Sequence, residues 1–228
     1  MNRLLRTLFC LAVPLLVTSC FEIREDIYLK HDGTGRYEMM LDFSEAKTIL
    51  EQVNISSSHI PGFWEGNNPF LHMDSVMQKQ AYQVATQFGI RDSKALVDHQ
   101  NFRYGIGFTF KSVASLNNAL VTVANWHGKE HEFYSYAKGK LKRNEVFYWN
   151  GLTEKLESES LHQENVEEYA KELYNRAGYE WVLHTEGKVS KISNKGVSLS
   201  EDSSTVKYRT KLKFVKEGNV KLRNTIKF

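Results

Sequence analysis

The stretch His127-Gly128-Lys129-Glu130-His131 matches a known catalytic spacing in its residue types. Two histidines placed as H-x-x-E-H can hold zinc, with the glutamate as general base, when they share one helix face and a third ligand follows downstream. Gly128 interrupts the stretch and little apolar sequence follows it, so a solvated polar turn is the better reading. A metal hydrolase built on His127, Glu130 and His131 is the third and weakest function the sequence offers. The remaining histidines, His31, His59, His72, His99, His162 and His184, stand singly. No serine sits in G-x-S-x-G, and Gly33-Thr34-Gly35 and Gly105-Ile106-Gly107 are too short to stand in for a phosphate-cradling loop. Glu22, Glu25 and Asp26 cluster near the N-terminus and read as a solvated face. The sequence thus predicts no catalytic residue, no metal site and no cofactor.

Two other groups have the chemistry of binding. Ile55 to Leu71 is rich in serine, asparagine, proline and glycine, and carries Phe63, Trp64 and Phe70. Aromatics on a loop of about seventeen residues can line a ligand cleft, meet a partner or enter a membrane interface, unless they fold back into the core. Near the C-terminus, Lys207, Arg209, Lys211 and Lys213 alternate with Val206, Tyr208, Leu212 and Phe214, with Thr210 interrupting. A strand there would show one cationic face, suited to anionic lipid or polysaccharide, or simply to guarding a sheet edge.

The N-terminus carries a different kind of chemistry. Arg3 and Arg6 precede an apolar run from Thr7 to Val17, and Thr18-Ser19-Cys20 follows. This is the charged, apolar and small-residue layout of a secretory signal. The uncharged span from Thr7 to Phe21 falls more than a turn short of the roughly 20 residues a spanning helix needs. Val17-Thr18-Ser19-Cys20 resembles the lipobox of bacterial lipoproteins. That resemblance implies cleavage between Ser19 and Cys20, a diacylglyceryl thioether on Cys20 and, in a diderm cell, N-acylation of the new terminus. Phe21, in place of the aspartate that retains such proteins at the inner membrane, favours the outer membrane.

Removal of the signal leaves about 209 residues and, without Arg3 and Arg6, a formal charge of about +1 in place of +3. That size suits one domain spanning 20–228, or two subdomains divided near 125–130. The near-neutral balance lacks the one-sided basic excess of a nucleic-acid binder. Cys10 lies in the signal and Cys20 is the attachment site, so the mature domain has no thiol for a disulfide or a metal.

The elements that position these groups follow from pattern. Phe21 to Lys30 and Arg36 to Phe43 read as strands around an Asp32-Gly33 turn. Ser44 caps a helix to Val53. Asp74 caps a second helix from Ser75 to Phe88, with Val76, Met77, Ala81, Val84, Ala85 and Phe88 as its apolar stripe and Gly89 as its stop. Ile90 to His99, with Ala95 and Val97 as core residues, and Asn101 to Lys111 are strands, and Ser112 caps a helix from Val113 to Asn125. Phe133 to Lys138 and Lys140 to Asn150 form a hairpin. Thr153 to Glu164 reads as a loop and Asn165 to Arg176 as a helix stopped by Gly178. Four strands finish the chain: Tyr179 to Glu186, Val189 to Asn194, Thr205 to Val215 and Asn219 to Phe228. Two ββα units, Ile23–Val53 and Leu96–Val123, share one grammar. The order predicts an α+β fold: a mainly antiparallel sheet built of hairpins, with three to four helices packed on it.

The charged strand directly after Cys20, the Asp32-Gly33-Thr34-Gly35 turn, Met39-Met40-Leu41-Asp42-Phe43-Ser44 entering a helix, and Gly187-Lys188-Val189 resemble small envelope lipoproteins of the LppM-like kind. The resemblance covers about thirty residues of the mature N-terminus and scattered later turns. It implies an α+β domain tethered outside the cytoplasmic membrane, without established enzymatic activity, and concerned with lipids. The expectation is a non-enzymatic envelope lipoprotein that binds a lipid-like ligand or a protein partner through Phe63, Trp64 and Phe70. The alternative is an envelope assembly factor with no small-molecule site.

Overall fold

A computed structural model of the chain describes residues 21–46, 69–124, 132–144 and 175–228. Ser19, Cys20, Phe63, Trp64, His127, Glu130 and His131 lie outside the described residues. So do the expected helix beyond Ala46, the strand beyond 144, the 153–164 loop and most of the 165–176 helix.

The fold is α+β, as the element order predicts. The chain forms β1 (Glu22–Leu29), β2 (Gly35–Asp42), α1 (Pro69–Ala85), β3 (Ile90–Asp98), β4 (Arg103–Phe110) and α2 (Val113–Val123). It continues with β5 (Tyr134–Ala137), β6 (Lys140–Arg143), β7 (Gly178–Thr185), β8 (Lys191–Ile192), β9 (Ser198–Leu199), β10 (Thr205–Lys211), α3 (Leu212–Lys216) and β11 (Asn224–Lys227). One sheet has seven strands in the order β3-β4-β2-β1-β7-β10-β9, and the other has four in the order β5-β6-β11-β8. The β1–β7 pair is parallel, and the other described pairs are antiparallel.

The β1–β2 hairpin forms where Asp-Gly falls between two alternating runs. Asp32 Oδ1 accepts from both the Thr34 amide (2.8 Å) and hydroxyl (2.7 Å), and Gly33 supplies φ +82°. Strand alternation then sends Ile23, Ile27 and Leu29, Tyr37, Met39 and Leu41, and Tyr104, Ile106, Phe108 and Phe110 to one buried face. Tyr179, Trp181 and Leu183 extend that face across β7. Helix α1 packs on β3 and β4 through Met77, Ala81 and Val84, and α2 meets α1 and β5. Ser112 caps α2 as expected, its Oγ accepting from the Ser115 amide at 3.1 Å.

Several boundaries differ from the sequence reading. Helix α1 starts at Pro69, not at Ser75, because proline fits a first helical turn, where it has no amide bond to lose. Phe70 is therefore helical, and Asp74 lies inside the helix rather than capping it. The buried stripe is narrower than expected: Val76, Ala85 and Phe88 are exposed. Val97 is also exposed, since β3 is an edge strand with a bulge between Arg91 and Lys94. Strand β10 stops at Lys211, whose partner Gly178 is the first residue of β7; the Leu212 amide still donates to the Ala177 carbonyl at 2.9 Å as the chain turns into α3 at the buried Leu212. Gly178 opens β7 and pairs with Glu22.

Candidate functional site

The outer face of the seven-stranded sheet carries the polar residues of each alternation. Near the start of β1 they form a lattice of opposite charges. Arg24 Nε lies 2.6 Å from Asp26 Oδ2 and its Nη1 lies 3.0 Å from Glu180 Oε2. Lys207 Nζ meets Glu180 Oε1 at 3.4 Å, and Arg209 Nη2 meets Glu22 Oε2 at 3.2 Å. Lys207, Arg209 and Lys211 do share one side of β10, but the first two face carboxylates from β7 and β1. Lys213 leaves the row because it is on α3, with its Nζ 5.3 Å from the Phe214 ring centroid. Burial raises the pKa of Asp26, but hydrogen bonds from His184 and Arg24, with their charges, outweigh it and bring it down to about 2. Burial raises Glu22 against the opposing pull of Arg209.

At the other end of β1 the same face opens into a cleft of about 500 Å³. Tyr28 stands there between its two cross-strand neighbours, His184 of β7 and Arg36 of β2. The His184 ring stacks on Tyr28 with centroids 4.2 Å apart and planes 7° from parallel. The Arg36 guanidinium carbon lies 4.1 Å from the Tyr28 centroid. His184 is fixed from both nitrogens, by Asp26 Oδ1 at 3.1 Å and Thr205 Oγ1 at 3.3 Å. That is the order of a hydroxyl–imidazole–carboxylate relay. Lys30, Arg91, Lys111 and Glu186 add charge to the lining, and the buried Leu29 and Phe110 back it. Gly35 allows the wall to close, since a Cβ there would strike the Tyr28 carbonyl and the Phe110 ring.

A second polar cluster lies wholly inside, between the sheets. Tyr179 Oη donates to Glu25 Oε1 and accepts from Arg143 Nη2. The Arg143 guanidinium also lies 5.0 Å from the Trp181 ring centroid, and Trp181 Nε1 donates to Tyr134 Oη at 2.9 Å. Asn117 of α2 exchanges two hydrogen bonds with the Tyr134 backbone, at 2.7 and 2.9 Å. Burial pushes the Tyr179 phenol well above its ordinary value. The solvated carboxylate face read from the sequence is thereby corrected: Glu25 has 0% exposure and Asp26 only 7%. Parity held the signal, because Glu25 shares the face of Ile23, Ile27 and Leu29. The cleft had no such signal, since its residues come from five strands and their turns.

Among the described residues no group of three or more His, Cys, Asp or Glu side chains is placed to hold a metal, and no helix is long and apolar enough to cross a membrane. No family model matches the chain, and no curated protein matches it. The chain is similar to the NMR structure of the folded domain of the Mycobacterium tuberculosis LppM protein, with a TM-score of 0.38 and 10% identity, over 92% of this chain and 89% of that one. A likeness at that level decides nothing about activity.

Proposed function

We propose that the protein is a lipid-anchored binding module of the bacterial cell envelope that performs no chemistry of its own. Acyl chains on Cys20 hold it to a membrane, the outer one ahead of the inner, and the cleft at the far end of β1 takes a lipid-like ligand. The observation that carries this reading is the cleft itself. Its volume, about 500 Å³, falls in the range of small-ligand sites, and it joins the Tyr28 ring to a cationic rim. Phe88, 88% exposed, directly precedes the lining residue Gly89 and offers apolar surface next to it. The eight residues of β1 set the cleft roughly 25 Å from Phe21, away from the anchor. A protein partner is the second reading, favoured by Tyr82, 74% exposed on α1.

Native mass spectrometry of the full chain, released from neutral detergent after incubation with extracted envelope lipids, tests the first reading. A reproducible added mass beyond the Cys20 modification supports it. A chain that carries only its own modification sinks it and leaves a partner or an assembly role, to be sought by crosslinking through Tyr82 and Phe88.

A further inference from the structure

We infer that the cleft is a site for a phosphate-class anion, which forms the charged end of the ligand proposed above; the inference rests on that reading and names the group recognised. Lys30 follows β1, Arg36 belongs to β2, Arg91 to β3, and Lys111 follows β4, yet all four line one cavity. Glu186 is the one carboxylate among its described lining residues, and its Oε2 accepts from the His31 amide at 3.1 Å. Two more carboxylates stand close by: Glu38, 3.5 Å from Arg36, and Asp92, which accepts from Thr109 at 3.0 Å. The contrast with the rest of the face is direct. Near the start of β1, Arg24, Lys207 and Arg209 each meet a carboxylate, whereas of the four cleft cations Arg36 alone is ion-paired, with Glu38, among the described residues.

Like charges gathered in a concavity repel one another, and a bound anion relieves that repulsion. The Arg36 guanidinium is held on two sides, resting on the Tyr28 ring, whose other face His184 covers, with its Nε 3.5 Å from Glu38. A planar fork held this way suits bidentate contact with an oxyanion. A monoester phosphate, with two negative charges, matches four cations better than a zwitterionic headgroup, whose ammonium would face charges of its own sign. Thr109 adds a hydroxyl to the lining.

The test is calorimetric titration of the full chain in neutral detergent with three soluble probes, and empty micelles as the blank. The probes are dihexanoyl phosphatidic acid, dihexanoyl phosphatidylcholine and inorganic phosphate. Phosphatidic acid should bind at least tenfold more tightly than phosphatidylcholine. Arg91→Ala with Lys111→Ala should weaken it about tenfold or more, and Lys142→Ala, an exposed cation on β6, should leave it unchanged. Both cleft lysine and arginine positions are exposed, so the double variant keeps its fold, which an unshifted melting curve would verify. Phosphate binding as tightly as phosphatidic acid would keep the anion site and remove the lipid from the reading. Equal binding of both lipids, unaffected by the double variant, would overturn the anion site while leaving lipid capture intact. No binding of any probe would overturn both.

Discussion

The Tyr179 hydroxyl donates to Glu25 Oε1 at 2.9 Å in the interior, where neither side chain reaches solvent. Arg143 donates to the same hydroxyl from β6, so a carboxylate of one sheet and a guanidinium of the other meet through a phenol. Buried polar groups are tolerated when partnered and costly when stripped of a partner. The cluster therefore fixes how the two sheets are registered against each other, in addition to any stability it adds.

Tyr179→Phe keeps the ring but removes the bridging oxygen. It should destabilise the fold by about 1–3 kcal/mol in urea unfolding, the cost of leaving a buried group without its bond. Arg143→Ala should cost more, about 3–5 kcal/mol, since it takes away the buried charge that faces Tyr179 and Trp181. Wild-type stability in both variants would mean that the cluster contributes nothing.

The outer-face pairs should behave differently. Arg209 and Glu22 meet at 3.2 Å, but the Arg209 side chain is 62% exposed. Arg209→Ala should shift stability by less than about 1 kcal/mol, and less still in high salt. A larger loss would show that this lattice acts as a unit.

Asp26 gives the acid limb of the stability curve. Its carboxyl sits at about 2 in the folded protein against an ordinary 3.8. The folded state thus binds fewer protons than the unfolded one between those values. The contribution is complete above about pH 4 and is lost as pH falls through 2, on the order of 2 kcal/mol. Asp26→Asn should flatten that limb in melting temperatures recorded from pH 5 to pH 2.

Much of this architecture is written locally. The Asp32-Gly33 hairpin, the alternation of Tyr104 to Phe110 and the Ser112 cap each rest on neighbouring residues, and each stands where the pattern puts it. What sequence does not reveal is pairing at a distance. Nothing local says that Tyr28 stacks on a histidine 156 positions later, or that Lys207 will face Glu180. Hence the cationic strand face was legible as a face but not as a set of ion pairs, and the cleft was not legible at all. Edge position also hides from sequence, and for that reason Val97 reads as core yet stands exposed.

Gly35 tests the cleft wall. Gly35→Ala places a methyl against the Tyr28 carbonyl and the Phe110 ring, and overpacking of this kind costs about 1–3 kcal/mol. Both the melting temperature and lipid uptake should fall. Uptake at the wild-type level would place the ligand elsewhere.

The anchor has its own test. Cys20→Ser should leave the signal uncleaved and the chain without acyl mass, read by intact mass of the membrane fraction. A variant that is processed and retained like the wild type would remove Cys20 as the attachment site.

The parallel β1–β7 pair sets an order on how the protein is made. β1 is made long before its partner β7, so one of its two edges waits for residues 178–185. The β1–β2 and β3–β4 pairs can zip as local hairpins, while β4 pairs with β2 across a long intervening stretch and β7 must dock late onto an open edge. Until then the chain displays an unsealed strand border. Contacts of such long sequence separation slow folding, so nascent copies are most open to holdase chaperones until the last fifty residues arrive.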